Sequence, residues 1–303
     1  RFCPMAFSWK KGKKNDGEMS FLEHLEELRW HIIRSLIAIV VFMLVAFVFK
    51  NVLFDRIILA PRSSSFITNR LLCEFSHVLA AKLNFSNPEI LCINKQELNL
   101  ISIKMAGQIT THIVVALVAG LIIAFPFVIR EFWAFFRPAL HANEARHARG
   151  AVLASSMLFF TGVLFGYFIL APLSIHFLGS YQISEEVVNQ INVRSYIGTL
   201  TSICLATGLI FELPIVAFFL TKIGIITPDF MRKYRKHSIV VIFIVAAIIT
   251  PPDVFSQMLV SIPLLLLYEV SIGISARVIR KKEKAHKEFM DDGSEGETAE
   301  ETT

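Results

Sequence analysis

Residues 110–129 read TTHIVVALVAGLIIAFPFVI, a stretch without Asp, Glu, Lys or Arg. Roughly 20 predominantly apolar residues are enough for an α-helix to cross the hydrocarbon core of a bilayer, so this run predicts a membrane span. The whole chain has the same character, because 54% of its 303 residues are hydrophobic, 18% are charged and the mean hydropathy is +0.58. Soluble domains usually carry more charge. Since the alternating strands of a membrane barrel are absent, we predict an all-α integral membrane protein.

Six spans are predicted from runs of this kind. They cover approximately residues 31–49, 110–129, 151–178, 195–220, 238–250 and 258–275. The last two are short, since residues 238–250 reach only about 20 Å as a helix, below the ~30 Å of a typical hydrocarbon core. Flanking basic side chains that snorkel, or a locally thinner bilayer, would accommodate them.

The distribution of basic residues predicts the orientation. Most of the 30 Lys and Arg residues precede span one, follow span two, follow span four or lie in the tail. The positive-inside rule then places both termini in the cytoplasm and residues 51–109 outside. We divide the chain into an N-terminal extension (1–19), a membrane domain (20–285) and an acidic tail (286–303) predicted to be disordered.

Residues 209–216, LIFELPIV, place an acid and a proline inside span four. Glu212 lies about 15 Å from the end of the span at Lys222, near the middle of the membrane. An ionised carboxylate there costs at least about 2.5 kcal/mol unless it is neutral or paired. Pro214 removes a backbone donor and favours a kink. The alternatives are a functional acid and a neutral Glu packed inside the bundle. Glu269, closer to a membrane surface, is interpreted as structural and within reach of a local partner.

Acidic residues also occur at the predicted cytoplasmic side. Residues 20–35, SFLEHLEELRWHIIRS, form an amphipathic helix in which Glu27 and Arg29 lie off the apolar stripe. These acids are either a solvated face or a site for a cationic partner. Glu144, after span two, would by itself most simply pair with Arg146 or Arg149.

The turn between the last two spans has a sufficient structural explanation. Pro251 and Pro252 end span five, and Asp253 is placed to cap span six. No P-loop, HExxH, GxSxG or Cys-x-x-Cys motif occurs, so the sequence predicts neither an enzyme nor a cofactor or metal site.

Four motifs in order resemble the TatC family. They are HLEELR (24–29), WAFFRPALHANE (133–144), FELP (211–214) and TPPDVFSQ (250–257). The resemblance covers about residues 20–285 and implies a concave, glove-like wall of six helices in the bacterial cytoplasmic membrane. It implies the core receptor subunit of the twin-arginine translocase, which binds paired-arginine signal peptides and exports folded proteins, driven by the proton-motive force. Single-span partners of the TatA and TatB type, self-association in a receptor complex and no nucleic acid are also implied.

The resemblance assigns roles to particular residues. It implies a signal-peptide site at Glu27, Arg29 and Glu144, and docking of a partner helix at Glu212 and Pro214. Two acids suit two guanidinium groups, because arginine forks onto a carboxylate with bidentate geometry. The TPPD aspartate corresponds to Asp253. The first external loop is longer than in the family, and Arg62 directly follows Ala60-Pro61.

Two other function classes remain as alternatives. A proton-coupled secondary transporter would use Glu212, although no repeated half is visible. A structural scaffold would leave the Glu27 and Glu144 pattern unexplained.

In the external loop, Cys73 and Cys92 form either a disulfide, as an oxidising compartment favours, or two buried thiols. Cys204, inside span four, is expected to stay reduced.

Overall fold

The computed structural model describes residues 21–83, 92, 99–136, 148–182, 184, 189–249 and 254–300. This part of the chain is mostly helical. The helices are α1 (Phe21–Val48), α2 (Ile67–Leu83), α3 (Gly107–Phe136), α4 (Ala148–Phe165), α5 (Ala171–Ser180), α6 (Val193–Ile210), α7 (Leu213–Lys222), α8 (Pro228–Lys233), α9 (Arg235–Ile249) and α10 (Val254–Glu300). Two π-helical segments (Val52–Ile58 and Gly166–Leu170), a 3₁₀ turn (Ala60–Arg62) and two short strands, β1 (Leu100–Ile101) and β2 (Ile191–Asn192), complete it.

Five of the described helical stretches are long and apolar enough to cross a membrane. They are Leu25–Val48, Gly107–Phe135, Gly150–Ser180, Val193–Lys222 and Val260–Lys281. The third joins α4, a π-helical segment and α5, and the fourth joins α6 and α7 across a short break. The predicted fifth span corresponds to α9, whose 15 residues are fewer than a full span needs. The multi-pass helical fold is therefore established, while the number six is not.

Two predictions about the C-terminal part are wrong. The last span is not short, because its apolar stretch runs from Val260 to Lys281 within the single helix α10. The tail is helical to Glu300 rather than disordered. The residues after Arg280 include Lys, Glu, Ala and Met, which favour helices, and adding residues to an existing helix avoids the cost of nucleation. Charge and low hydrophobicity alone therefore gave a misleading prediction.

Glycines allow the long helices to approach each other closely. A Cβ added at Gly120 of α3 would lie 2.6 Å from the backbone nitrogen of Met43 in α1. A Cβ at Gly162 of α4 would lie 2.7 Å from the carbonyl oxygen of Thr207 in α6. Small residues at such crossings are typical of helix association in membranes, where close packing replaces the hydrophobic driving force.

The two short strands connect the loops that lead into α3 and α6. They pair in parallel, with Leu100 opposite Ile191 and Ile101 opposite Asn192. Since each strand precedes one of these helices, α3 and α6 begin at the same end of the bundle. We call this end, where α1 also terminates, the far end, and the end where α1 begins the near end.

The predicted external loop contains ordered structure at the far end. The chain leaves α1 through the π-helical segment and the 3₁₀ turn, then forms α2. The hydroxyl of Tyr196 in α6 donates to the carbonyl of Ile58 (2.8 Å), and that of Tyr167 donates to the carbonyl of Ile57 (2.7 Å). These bonds attach the loop to two spans. Most of the predicted cap between residues 84 and 98 lies outside the described residues.

Candidate functional site

The local sequence of FELP breaks the fourth span at its acid. Helix α6 ends at Ile210 and α7 begins at Leu213, with Glu212 between them. Pro214, the second residue of α7, has no N–H to donate, so helical bonding cannot continue unbroken through this position. The Glu212 N–H donates to the carbonyl of Leu209 (3.1 Å), and its own carbonyl accepts from the N–H of Val216 (2.9 Å). The break fixes Glu212 at a defined depth in the bundle.

The side chain of Glu212 points into the bundle. It is 8% exposed, and the hydroxyl of Ser155 in α4 donates to Oε2 at 2.5 Å. Its second oxygen, Oε1, is buried without a hydrogen-bond partner. Among the described residues, no Lys, Arg or His forms an ion pair with it. An unmade hydrogen bond on a buried polar atom costs about 1–3 kcal/mol, so Oε1 is an open acceptor that a further donor would stabilise.

The surface beside Glu212 is apolar and exposed. Leu209, Leu213 and Val216, within four residues of it, are 42–53% exposed. The burial of Glu212 agrees with the packing alternative, whereas the open oxygen below an uncovered apolar surface agrees with the functional one. Pro214 is buried and has no exposed surface of its own for a partner.

At the near end, an ion cluster joins α1 to α3. The His31 Nδ1 atom lies 2.7 Å from Glu131 Oε2, and the Arg34 Nη1 atom lies 3.7 Å from the same oxygen. Glu27, one turn before His31, is half-buried, and Arg29 is exposed. The cluster therefore places the start of α1 beside the last turns of α3.

The remaining predicted site residues lie outside the described residues. These are Glu144, between α3 and α4 in the sequence, and Pro251, Pro252 and Asp253, between α9 and α10. The described residues on either side of Glu144 are Phe136, the last of α3, and Ala148, the first of α4. The end of α3 lies near the start of α1, since the ring of Phe135 meets His31 edge-on with centroids 6.2 Å apart.

Sequence reasoning missed Glu131. This acid follows Arg130 near the end of a long apolar helix, where charged residues commonly mark the membrane surface. An acid within the last turns of a span, facing two basic residues at the start of the preceding span, was the available signal. The interpretation of Glu269 was better, because its carboxylate accepts from Arg235 at 2.8 Å in the neighbouring helix.

The two cysteines that follow α1 in the sequence, Cys73 and Cys92, are joined in the structure. Cys73 and Cys92 form a disulfide with a Cα–Cα distance of 4.3 Å, and Cys204 is a buried free thiol. One nitrogen of His77 and the two sulfurs lie within 4.8 Å of one another. The bond between the sulfurs occupies the two best metal ligands of this group, so the arrangement acts as a covalent link.

Comparisons with known proteins agree on one family. The model of "Sec-independent protein translocase protein (TatC)" matches residues 23–263. A TatC from Blattabacterium sp. subsp. Periplaneta americana is 39% identical over 272 residues, covering 90% of this chain and 100% of the relative. A TatC from Aquifex aeolicus is 34% identical over 270 residues, covering 89% and 100%.

Solved structures give the same result. A crystal structure described as "Twin Arginine Translocase Receptor- TatC in DDM" is 35% identical, with a TM-score of 0.63, and covers 84% of this chain and 99% of its own. The chain therefore belongs to the TatC family, the Sec-independent translocase proteins of the twin-arginine pathway.

Proposed function

We propose that the near end of this chain recognises the paired arginines of a signal peptide through Glu27 and Glu144, with Arg29 at the edge of the site. The observation that carries the proposal is the contact of His31 with Glu131 at 2.7 Å. At ~1.5 Å per residue, Glu27 lies about 6 Å along α1 from His31, and α3 ends at Phe136, about 8 Å beyond Glu131. Glu27 and the end of α3 therefore lie at the same end of the bundle, and the proposal places Glu144, eight residues after Phe136, there as well.

The charges near this site support the same assignment. Glu131 contacts His31 and Arg34, so a histidine and an arginine of α1 already share an acid of α3. Glu27 lies one turn away and is not fully buried, so its carboxylate can be reached from solvent. A guanidinium group gains more from such a carboxylate than an ammonium group does, because it forms two parallel hydrogen bonds.

The test is binding of a labelled twin-arginine signal peptide to the purified protein at low salt. Glu27→Ala and Glu144→Ala are each expected to weaken binding about tenfold or more, since a charge-assisted hydrogen bond contributes roughly 1.5–3 kcal/mol. The effects add in the double variant if each acid holds its own arginine, and add incompletely if both hold one. Raising the salt concentration should weaken the wild type more than the double variant.

Two controls separate recognition from general electrostatics. Glu26→Ala removes an exposed acid next to Glu27 and should leave peptide binding almost unchanged. A peptide with paired lysines should bind less tightly to the wild type than the paired-arginine peptide. Equal affinity of the wild type and the double variant, measured on folded protein, would refute the site.

We further propose that Glu212 docks the helix of a single-span TatA- or TatB-type partner. The partner's apolar face would cover Leu209, Leu213 and Val216, and a polar side chain would donate to Oε1. Such a bond is worth about 1–2 kcal/mol in a membrane, enough to fix the position of the partner without dominating its affinity. Pro214 contributes indirectly, because it maintains the break that sets the depth of Glu212.

Crosslinking of a partner helix in native membranes tests the docking site. Glu212→Gln keeps an acceptor and should retain most crosslinking, whereas Glu212→Ala should lose it while signal-peptide binding survives. Ser156→Ala is a suitable control, since that hydroxyl bonds within its own helix to Val152 (2.8 Å). Unchanged crosslinking and export in Glu212→Ala would leave Glu212 with the packing role alone.

The family assignment favours this translocase role over a proton-coupled transporter that uses Glu212. We propose the rest of the arrangement on the same basis: six spans in a glove-like wall, both termini in the cytoplasm, location in the bacterial inner membrane and transport driven by the proton-motive force. Uptake of a small solute by the purified protein alone would favour the transporter instead.

A further inference from the structure

A further polar site lies at the far end of the bundle, away from both the signal-peptide site and the docking site. The π-helical segment after α1, the 3₁₀ turn, the start of α2 and the third span enclose a pocket of about 620 Å³. We call it the Arg56–Arg62 pocket, after the two basic residues that line it together with Asp55, Ser63 and Ser65. Neither the signal-peptide site nor the docking site uses these residues.

The base of the pocket is aromatic and held by several contacts. The ring of Phe66 stacks on Phe168 with centroids 5.6 Å apart and meets Tyr167 edge-on at 5.5 Å. The hydroxyl of Thr68 donates to the carbonyl of Phe168. Because the hydroxyl of Tyr167 already donates to Ile57, it is committed to holding the loop next to Arg56. The base therefore offers an apolar, prearranged surface below a charged rim.

The rim combines both signs of charge. Arg56 is exposed and Arg62 is half-buried, and both residues line the pocket together with Ser63 and Ser65, whose hydroxyls lie 2.8 Å apart. Guanidinium groups and hydroxyls bind phosphate oxygens well. Asp55 on the same rim is an acceptor for a cationic group.

Helix α2, which begins in the pocket, buries polar side chains and exposes apolar ones. Its polar residues Asn69 and Ser76 are 2% and 5% exposed, whereas Ile67, Leu71 and Phe75 form a stripe that is at least 57% exposed. The Asn69 amide donates to the carbonyl of Ser63 at 2.7 Å, which ties the polar face of α2 to the pocket wall. An apolar stripe turned outward beside a membrane span is the pattern of a helix that lies in the lipid interface.

We propose that the Arg56–Arg62 pocket binds the headgroup of a membrane phospholipid, with the phosphate on the two arginines and Asp55 favouring a headgroup that carries an ammonium group. The acyl chains then run along the exposed face of Ile67 and Leu71. Phosphatidylethanolamine has both the phosphate and a hydrogen-bonding ammonium, so it satisfies the whole rim. Phosphatidylglycerol satisfies only the arginines and hydroxyls, and the quaternary ammonium of phosphatidylcholine cannot donate to Asp55.

The experiment is native mass spectrometry of the delipidated full-length protein, titrated in detergent with dioleoyl forms of these three lipids. Binding of phosphatidylethanolamine is expected to be tightest. Arg56→Gln/Arg62→Gln should weaken it about tenfold or more, which corresponds to about 1.4 kcal/mol. Arg70→Gln is the matched control, because it removes the same charge from an exposed position of α2 that does not line the pocket.

Asp55→Asn tests the headgroup selectivity. It should reduce the preference for phosphatidylethanolamine over phosphatidylglycerol while leaving phosphatidylglycerol bound. Arg56→Gln alone, at an exposed position, keeps the test valid if the double variant unfolds, and thermal unfolding of each variant checks this.

Two results would overturn the proposal. One is lipid binding by a folded Arg56 variant that equals binding by Arg70→Gln. The other is soluble O-phosphoethanolamine that binds as tightly as the lipid, since the ligand would then be a free phosphate compound and the exposed stripe of α2 would need another explanation.

Discussion

The contact between α4 and α6 and the contact between α1 and α3 join long apolar helices by different means. At α4–α6, Gly162 and Gly208 each lie against the opposite helix, and the polar contact is a hydroxyl of Ser155 on Glu212. At α1–α3, Gly120 lies against the backbone of Met43, and the polar contact is an ion cluster. Both contacts use a glycine and an acid, but among the residues that the structure describes only the near-end acid has basic partners.

Burial explains this difference. Glu131 keeps 20% of its side chain exposed, whereas Glu212 is 8% exposed. The near-end cluster is close to solvent, so charges there remain partly hydrated, and Arg34 keeps 41% of its side chain exposed. Deep in the bundle a charged pair would lose that hydration, at a cost of several kcal/mol per ion. A neutral hydroxyl that donates to the acid is compatible with such a position.

The largest effect is expected at the buried contact. Gly162→Ala places a Cβ 2.7 Å from a backbone carbonyl of α6, which cannot rotate away as a side chain can. We expect a loss of about 3 kcal/mol, the upper range for overpacking, measured as unfolding in detergent. Gly198→Ala in α6 has open space within 4 Å and should not destabilise the protein. Equal stability of the two variants would contradict the close crossing of α4 and α6.

An intermediate effect is expected at the near end. Glu131→Ala removes the common partner of His31 and Arg34 and should cost about 2 kcal/mol, within the range for charge-assisted hydrogen bonds and lowered by partial exposure. Glu131→Gln keeps an acceptor and should cost less. The loss in Glu131→Ala should also shrink at high salt, as expected for a partly solvated cluster. A loss independent of salt would indicate that the cluster is shielded from solvent like Glu212.

The smallest effect is expected from the hydroxyl on Glu212. Ser155→Ala leaves Oε2 as well as Oε1 without a donor and should reduce stability by about 1 kcal/mol, the lower end of the cost of an unsatisfied buried acceptor. Unfolding in detergent, compared with Ser156→Ala, measures this contribution. If Ser155→Ala lowers the free energy of unfolding as much as Glu131→Ala does, the hydroxyl stabilises a charged carboxylate. The two contacts would then not differ in the charge of their acids.

The sequence by itself determined the class of the protein. In lipid, the backbone N–H and C=O groups of a run such as 110–129 must bond to each other within a helix, because no water is present to bond them. Motif order was sufficient for the family, and the acid–proline pair at Glu212 and Pro214 marked the broken span. These features are local, so composition and spacing reveal them. The same reasoning failed for the tail, where helix continuation outweighed polar composition.

Only the tertiary structure decided which side chains meet. His31 and Glu131 are separated by 100 residues, and Ser155 and Glu212 by 57, so spacing could not pair them. The outward stripe of α2 and the pocket between Arg56 and Arg62 likewise depend on how the segment after α1 folds back onto two spans, where Tyr167 and Tyr196 donate hydrogen bonds to it. Hydrophobic periodicity specifies only that a helix buries one face. Which side chains meet across the bundle depends on how the helices cross, and glycines set how closely they cross.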